Sequence, residues 1–295
     1  VHEHNVPPVR GRSDRPLRFR TVTPGATDPL NTARTVAPVR RLVVKVGSAV
    51  LARAGRLDDR VLERFAGQIA GLHARGVLTT VVSSGAVASG FRLLGKSAPP
   101  KTIVAKQAAA ALGQHRLMSA WAAALQGHGL SAAQILYTAD DLEDRRRFVN
   151  ARRTLEELLS RGAVPIVNEN DSISFAEIRL GDNDRLSALT ANLVGADLLL
   201  ILSSAQGLSP RDQPGKVIAT VADADEARSH VRPERSATGV GGMATKVESA
   251  AMCAAWGIPT VIAGGAVDDV ITRVVAGERI GTLFVPSARR TPSRK

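Results

Sequence analysis

The sequence predicts an α/β protein with a mostly parallel sheet covered by helices on both faces. Three observations carry that prediction. Short apolar runs alternate with longer stretches of helical periodicity through the body of the chain. The short runs are apolar at consecutive positions, as from Leu198 to Leu202, and a strand buried on both faces must be apolar on both. Gly, Ser, Asn and Asp collect just after these runs, beyond the carboxyl ends of the strands, where such folds bind ligands.

Arg41 to Val46 reads as the first buried strand, ending at Gly47-Ser48. Asp58 to Ala74 follows as a helix, with Val61, Leu62, Phe65, Ile69 and Leu72 on one face and Gly76 as its stop. Val77 to Val82 is a second strand, and Ser83-Ser84-Gly85-Ala86 opens a helix. Lys101 to Gln126 reads as a long Ala-rich helix with Leu117, Trp121 and Leu125 at four-residue spacing. A strand from Gln134 to Tyr137 precedes a helix that turns Phe148, Leu155, Leu158 and Leu159 inward. The apolar run Val164 to Val167 then leads into Asn168-Glu169-Asn170-Asp171. A hairpin is expected near Ser174 to Arg179, followed by Gly181-Asp182-Asn183-Asp184 and a helix from Arg185. Strands are expected at Asp197 to Leu202, Ile258 to Ala263 and Gly281 to Val285, and helices at Met243 to Trp256 and Asp268 to Ala276.

At 295 residues, with 44% hydrophobic and 22% charged content, the chain can bury a sizeable core. Its one cysteine, Cys253, excludes an internal disulfide framework and fits a reducing compartment; its Ala-rich helical setting suits core packing. No apolar run reaches membrane-span length and the N-terminus lacks a signal-peptide core, so a cytoplasmic location is expected and no membrane partner. The formal charge of +12 sits largely at the ends. Residues 1–40 hold seven Arg against Glu3, Asp14 and Asp28, and Arg289, Arg290, Arg294 and Lys295 close the chain. Residues 1–38 are read as a disordered basic, Pro-rich tail, 39–287 as the folded domain and 288–295 as a second basic tail. Because only Phe19 interleaves the N-terminal arginines, nucleic acid is not the expected partner.

Gly90-Phe-Arg-Leu-Leu-Gly95-Lys96-Ser97 fits the P-loop expression, but that motif needs a strand before it and a helix at the Lys. Here a helical segment precedes it, bulky residues fill it and Pro99-Pro100 follow, so it is read as a helix C-terminus. Lys45 lies in an otherwise apolar strand. Either its head reaches past the strand end, or an anion meets it, with Gly47 and Ser48 letting backbone N–H groups approach a phosphate. Ser83 to Ala86 is a helix start that suits an anion or a plain cap. Val240-Gly-Gly-Met-Ala-Thr-Lys246 offers glycines for close approach of a phosphate chain and a second lysine; a Gly-rich turn with a surface Lys is its other reading. Asp171, Asp182, Asn183 and Asp184 fit a divalent cation, or Asp171 and Asn183 a substrate ammonium.

In combination these motifs say more. Lys45-Val-Gly-Ser48, Ser83-Ser-Gly-Ala86, Asn168 to Asp171, Gly181 to Asp184 and Gly241 to Lys246, in this order and spacing, resemble the amino acid kinase family. Lys106-Gln107, Gly113-Gln114 and Asp144 to Thr154 strengthen the likeness, which spans roughly Arg40 to Val285. The two acidic-amide clusters resemble the branch that phosphorylates the side-chain carboxylate of L-glutamate, the first step of proline biosynthesis.

The resemblance implies a three-layer αβα sandwich around an eight-stranded, mostly parallel sheet. It implies Lys45 and Lys246 flanking the transferring phosphoryl group, with Asp184 orienting the lysines and the metal. Ser84, Asp171 and Asn183 would hold glutamate, with Asp182 lining the same site. Lys45, Gly47, Ser203, Ser204 and Val240, Gly241, Gly242, Met243, Ala244, Thr245 and Lys246 would contact ATP, and Mg²⁺ would be held mainly by the nucleotide. Homo-oligomers and a proline feedback site overlapping the glutamate pocket are further family traits. The nucleophile would be a carboxylate, ionised at neutral pH with an ordinary pKa of about 4.3. No general base is then required, and the task is to bring an anion to a polyanion by positioning and positive charge.

Three features depart from the family pattern. Ser203-Ser204-Ala-Gln-Gly207-Leu208-Ser209 stands where Thr-Asp and a Gly-Leu-Tyr turn are usual, so the change falls on the nucleotide side. Val240 and Ala244 replace hydroxyl-bearing residues. The chain reads as a short form, ending before the RNA-binding-type PUA domain of many members, and the tail before Pro38 is unusual. Beside the leading reading stand a member acting on another small acid and a degenerate, non-catalytic ligand binder.

Overall fold

The computed structural model describes residues 38–53, 56–173, 182–231 and 242–286. The terminal tails, the hairpin expected at 174–179, and Gly181, Val240 and Gly241 lie outside the described residues.

Strand β1 (Arg41–Val46) is followed by a short helix α1 (Ser48–Leu51) and a two-stranded hairpin, β2 (Ala52–Arg53) with β3 (Arg56–Leu57). Helix α2 (Asp59–His73) starts where Asp58 accepts hydrogen bonds from the N–H groups of Arg60 and Val61, a side-chain cap for orphan helical donors. Strand β4 (Leu78–Ser83) leads to α3 (Ala86–Gly90) and then α4 (Ile103–Gln126). Next come β5 (Ala132–Tyr137), α5 (Arg145–Ser160), β6 (Val164–Glu169), α6 (Asp182–Val194) and β7 (Leu198–Ser203). The chain continues through β8 (Thr220–Val221), α7 (Ala224–His230), α8 (Met243–Ala255), β9 (Thr260–Gly264), α9 (Val270–Val275) and β10 (Thr282–Phe284).

Eight of these strands form one sheet in the order β5-β6-β4-β1-β7-β9-β10-β8, parallel except for the antiparallel β9–β10 pair. β1 lies at its middle, with Lys45 opposite Val82 and Ile201. Asp197 fixes the entry to β1, its carboxylate accepting the N–H groups of Arg40 and Arg41 at 2.8 Å.

The two-residue alternation of a strand sorts the core into two layers. Leu42, Val44 and Val46 of β1 pack with α2, α4 and α9, where Phe65, Ile69, Leu117, Trp121 and Ile271 are buried. Val43 packs on the other face with Leu186, Ala191, Val247 and Cys253 of α6 and α8. Each such large side chain, fully buried, contributes roughly 1.5–3 kcal/mol. The same alternation turns Lys45 toward the layer of α6 and α8. Cys253 is buried there, and burial pushes its thiol pKa up to about 12, so it packs rather than reacts.

One difference from the sequence reading and one agreement bear on the site. Helix α6 begins at Asp182 rather than Arg185, so Asp182-Asn183-Asp184 form its first turn instead of a loop. Acidic and amide side chains suit that position, where unpaired N–H groups and the helix dipole favour negative charge. The Gly90-to-Ser97 segment is no phosphate cradle, because α3 precedes it, Phe91–Leu94 form a 3₁₀ turn and Gly95 is left-handed. Gly90 instead lets α3 cross α4 at Gly113. A Cβ at either glycine would collide with the other helix's backbone carbonyl, at Ala109 or Ala86.

Candidate active site

The carboxyl ends of β1, β4, β6 and β7 and the first turns of α6 and α8 meet in one region. Its centre is Asp184, 1% exposed. Lys45 Nζ lies 2.6 Å from one carboxylate oxygen and Lys246 Nζ 3.1 Å from the other, both lysines being 5% exposed. Thr245 Oγ1 donates to the second oxygen at 2.6 Å. Ser187 Oγ donates to the Asp184 carbonyl at 2.6 Å, tying the turn together.

Burial alone would raise the Asp184 pKa, but the Lys45 and Lys246 charges, with hydrogen bonds from Lys45 and Thr245, hold it below the usual carboxylate range. Burial lowers the Lys246 pKa below that of an ordinary lysine; Asp184 opposes the shift and Lys45 adds to it. Within this trio two ammonium groups face one carboxylate in a nearly dry setting, at the positive ends of two helices. Such a cluster suits an anionic ligand, because charge held away from water is favoured by a counter-charge.

Beside this charge cluster runs a chain of amides. Asn183 Nδ2 donates to Ser84 Oγ at 3.1 Å and to Asn168 Oδ1 at 3.0 Å. The Glu169 N–H lies 2.9 Å from Asn168 Oδ1 and 3.3 Å from Asn183 Oδ1. Asn168 Nδ2 donates to Gln114 Oε1 at 2.8 Å. Ser84 is placed by its N–H bond to the Val46 carbonyl, 3.0 Å, and by Gly85, whose φ of +120° only glycine adopts without strain.

Of the residues singled out from sequence, Lys45, Asp184, Thr245 and Lys246 come together at one carboxylate, and Ser84 with Asn183 beside it. Asp171 is half-buried in the turn after β6. Asp182 opens α6. Gly47 sits over the cluster, its N–H bonded to the Leu202 carbonyl at 3.2 Å, and an added Cβ would stand 3.7 Å from Lys45 Nζ. Ser203 ends β7 and Ser204 follows it, the Ser203 carbonyl accepting the Gly265 N–H at 2.8 Å. Gly242, Met243 and Ala244 form the start of α8. Sequence reasoning assigned no role to Asn168 or Gln114. Both lie in quoted motifs, but they are 54 residues apart and no periodicity pairs them.

Among the described residues no group of three His, Cys, Asp or Glu is placed to hold a metal ion. No described helix is long and apolar enough to cross a membrane.

A family model described as the amino acid kinase family matches residues 40–264. The glutamate 5-kinase of Trichlorobacter lovleyi is 48% identical over 263 residues, which cover 87% of this chain and 70% of that protein. The glutamate 5-kinase of Pseudomonas aeruginosa is 45% identical over 266 residues, 88% of this chain and 72% of that one. Among solved structures, UMP kinase from Bacillus anthracis aligns with a TM-score of 0.58, covering 85% of this chain and 98% of that one. At 16% identity this last likeness concerns the fold alone.

Proposed function

The chain belongs to the amino acid kinase family, and within it we propose that it transfers the γ-phosphoryl group of ATP to the γ-carboxylate of L-glutamate, giving L-glutamyl 5-phosphate for proline biosynthesis. The observation that carries this reading is the buried Lys45–Asp184–Lys246 cluster, in which one carboxylate gathers two ammonium groups at the carboxyl ends of the strands. A relative 48% identical over 87% of the chain supports glutamate as the acceptor and disfavours another small acid or a non-catalytic role.

In this reading a glutamate carboxylate oxygen forms a bond to the γ-phosphorus as the bond from that phosphorus to the β,γ-bridging oxygen breaks, and ADP leaves. The attacking group is already ionised, so no proton is moved. Lys45 and Lys246 offset charge on the transferring group from two sides, and Asp184 holds both ammonium groups in place. Ser84, Asn183 and Asp171 grip the amino acid, with Asp182 at the same site. Gly47, Ser203, Ser204 and the residues from Val240 to Lys246 contact the nucleotide. Both Asp184 oxygens are engaged by Lys45, Lys246 and Thr245, so a Mg²⁺ ion would be held mainly by the ATP phosphates, where it would supply further charge neutralisation. The kinase domain runs from 39 to 287 in this reading, in a cytoplasmic homo-oligomer subject to proline feedback.

The test is ADP release across a panel of amino acids, with hydroxylamine trapping any acyl phosphate. Glutamate-dependent hydroxamate is expected. Turnover confined to another acid, or none with any, overturns the assignment.

A further inference from the structure

The amide chain beside the charge cluster has a fixed direction, and its origin can be traced. A backbone N–H can only donate, so the Glu169 N–H, 2.9 Å away, identifies the Asn168 atom facing it as oxygen. The same oxygen accepts from Asn183 Nδ2. Asn168 Nδ2 must then face Gln114, and the Gln114 atom that meets it at 2.8 Å is Oε1. Gln114 Nε2, on the far side, is buried without an acceptor among the described residues. A buried unmet donor is costly. The orientation persists because the reverse one would set the two amide NH₂ groups against each other. Gln114 is therefore oriented for its oxygen.

Its backbone is held as firmly. The preceding residue, Gly113, is the crossing point of α3 and α4, and Ser89 Oγ lies 3.0 Å from both the Gly113 and Ala86 carbonyls. Helix α3 begins two residues after Ser84, so one packed contact locates both ends of the chain from Gln114 to Ser84.

We propose that Gln114 is a positioning residue for the acceptor site: its Oε1 accepts from Asn168 Nδ2 and so holds Asn168 in the orientation that the Glu169 N–H dictates, with Asn168 Oδ1 turned to Asn183 Nδ2 and the grip on the amino acid. An asparagine amide presents a donor and an acceptor of nearly equal size, and without an outside reference it can turn over. The Glu169 N–H supplies that reference, and Gln114 holds Asn168 to it from the opposite side. This rests on the proposed glutamate reading and adds to it a residue that touches neither the phosphoryl group nor the charge cluster.

The experiment compares the parent protein with Gln114→Leu, Asn168→Ala and the double variant, measuring KM for glutamate and for ATP by ADP release, with thermal unfolding of each. Gln114→Leu is expected to raise the glutamate KM about tenfold, with the ATP KM within about twofold, the scale of leaving one buried donor unmet. In the Asn168→Ala background the same change is expected to add nothing, because its path to Asn183 is already gone. Gln114→Met serves the same comparison if the leucine variant does not fold. An unchanged glutamate KM, an equal rise in both KM values, or effects that multiply in the double variant each overturn the proposal. A parent that forms no glutamyl hydroxamate overturns the glutamate reading and this inference together. An active parent with an unaffected Gln114 variant overturns this inference alone.

Discussion

Lys45 at the end of β1 and Lys246 in the first turn of α8 share the carboxylate of Asp184, one on each oxygen, at 2.6 and 3.1 Å. Two cations this close repel one another, and burial strengthens that repulsion. Asp184 makes the arrangement tolerable, and an incoming polyphosphate would make it favourable.

Removing either lysine should therefore remove a contact made to the transferring group. Lys45→Ala and Lys246→Ala are each expected to lower kcat on the order of 10²-fold or more. Steady-state ADP release reads this directly, and near-normal turnover in either variant would sink the proposed roles.

Asp184→Asn tests the other partner. It keeps the shape but removes the carboxylate that the two buried ammonium groups share, so a loss of about 3–5 kcal/mol in stability is expected. Urea unfolding of parent and variant gives the difference. ATP should restore part of it by supplying an anion, and a variant as stable as the parent would show that the cluster is hydrated or already neutral.

The pH dependence follows from the two shifted groups. Lys246 has its pKa lowered by burial, so the folded chain gives up this proton at lower pH than the unfolded chain does. Between those two values the unfolded state binds more protons, and this group's contribution to stability rises with pH while turnover, which needs its charge, falls. Lys246→Arg keeps the charge at all accessible pH, so the alkaline limb of kcat/KM should flatten although overall turnover is lower. An unchanged limb would place the titration elsewhere. Asp184, with its pKa lowered, contributes stability that is present above the ordinary carboxylate value and lost as pH falls through its folded value. Acid unfolding of Asp184→Asn should lack that component.

Two glycines make a paired test of packing. Gly113→Ala would drive a Cβ into the Ala86 carbonyl, and a loss of about 1–3 kcal/mol is expected as the helices part. Gly71→Ala, inside α2 with nothing within 4 Å of the added methyl, should stabilise by about 0.5–1 kcal/mol. Thermal unfolding separates the two signs.

Much of the fold was legible because its strands are apolar on both faces and its helices carry one apolar stripe; β1, β4, β7 and α2 lie within a residue or two of the positions expected. The elements not foreseen are short. The β2–β3 hairpin, β8 and α7 are too brief to show a period, and β8 gains its pairing from β10 across the fold. Helix α6 was placed three residues late, because a run of acids and amides reads as loop until its unmet N–H groups are counted.

The sequence by itself determined which residue types are present for the chemistry: two lysines beside glycine-rich turns, and two acidic-amide clusters. It also determined, through the alternation in β1, that Lys45 and Val43 share a face. Only the tertiary structure decided that Asp184 lies between the lysines, that Thr245 turns its hydroxyl to that carboxylate, and that Gln114 ends the amide chain running to Ser84. These contacts join residues of separate strands and helices. Periodicity records which way a side chain points from its own element, whereas the sheet order and helix crossings set what it meets.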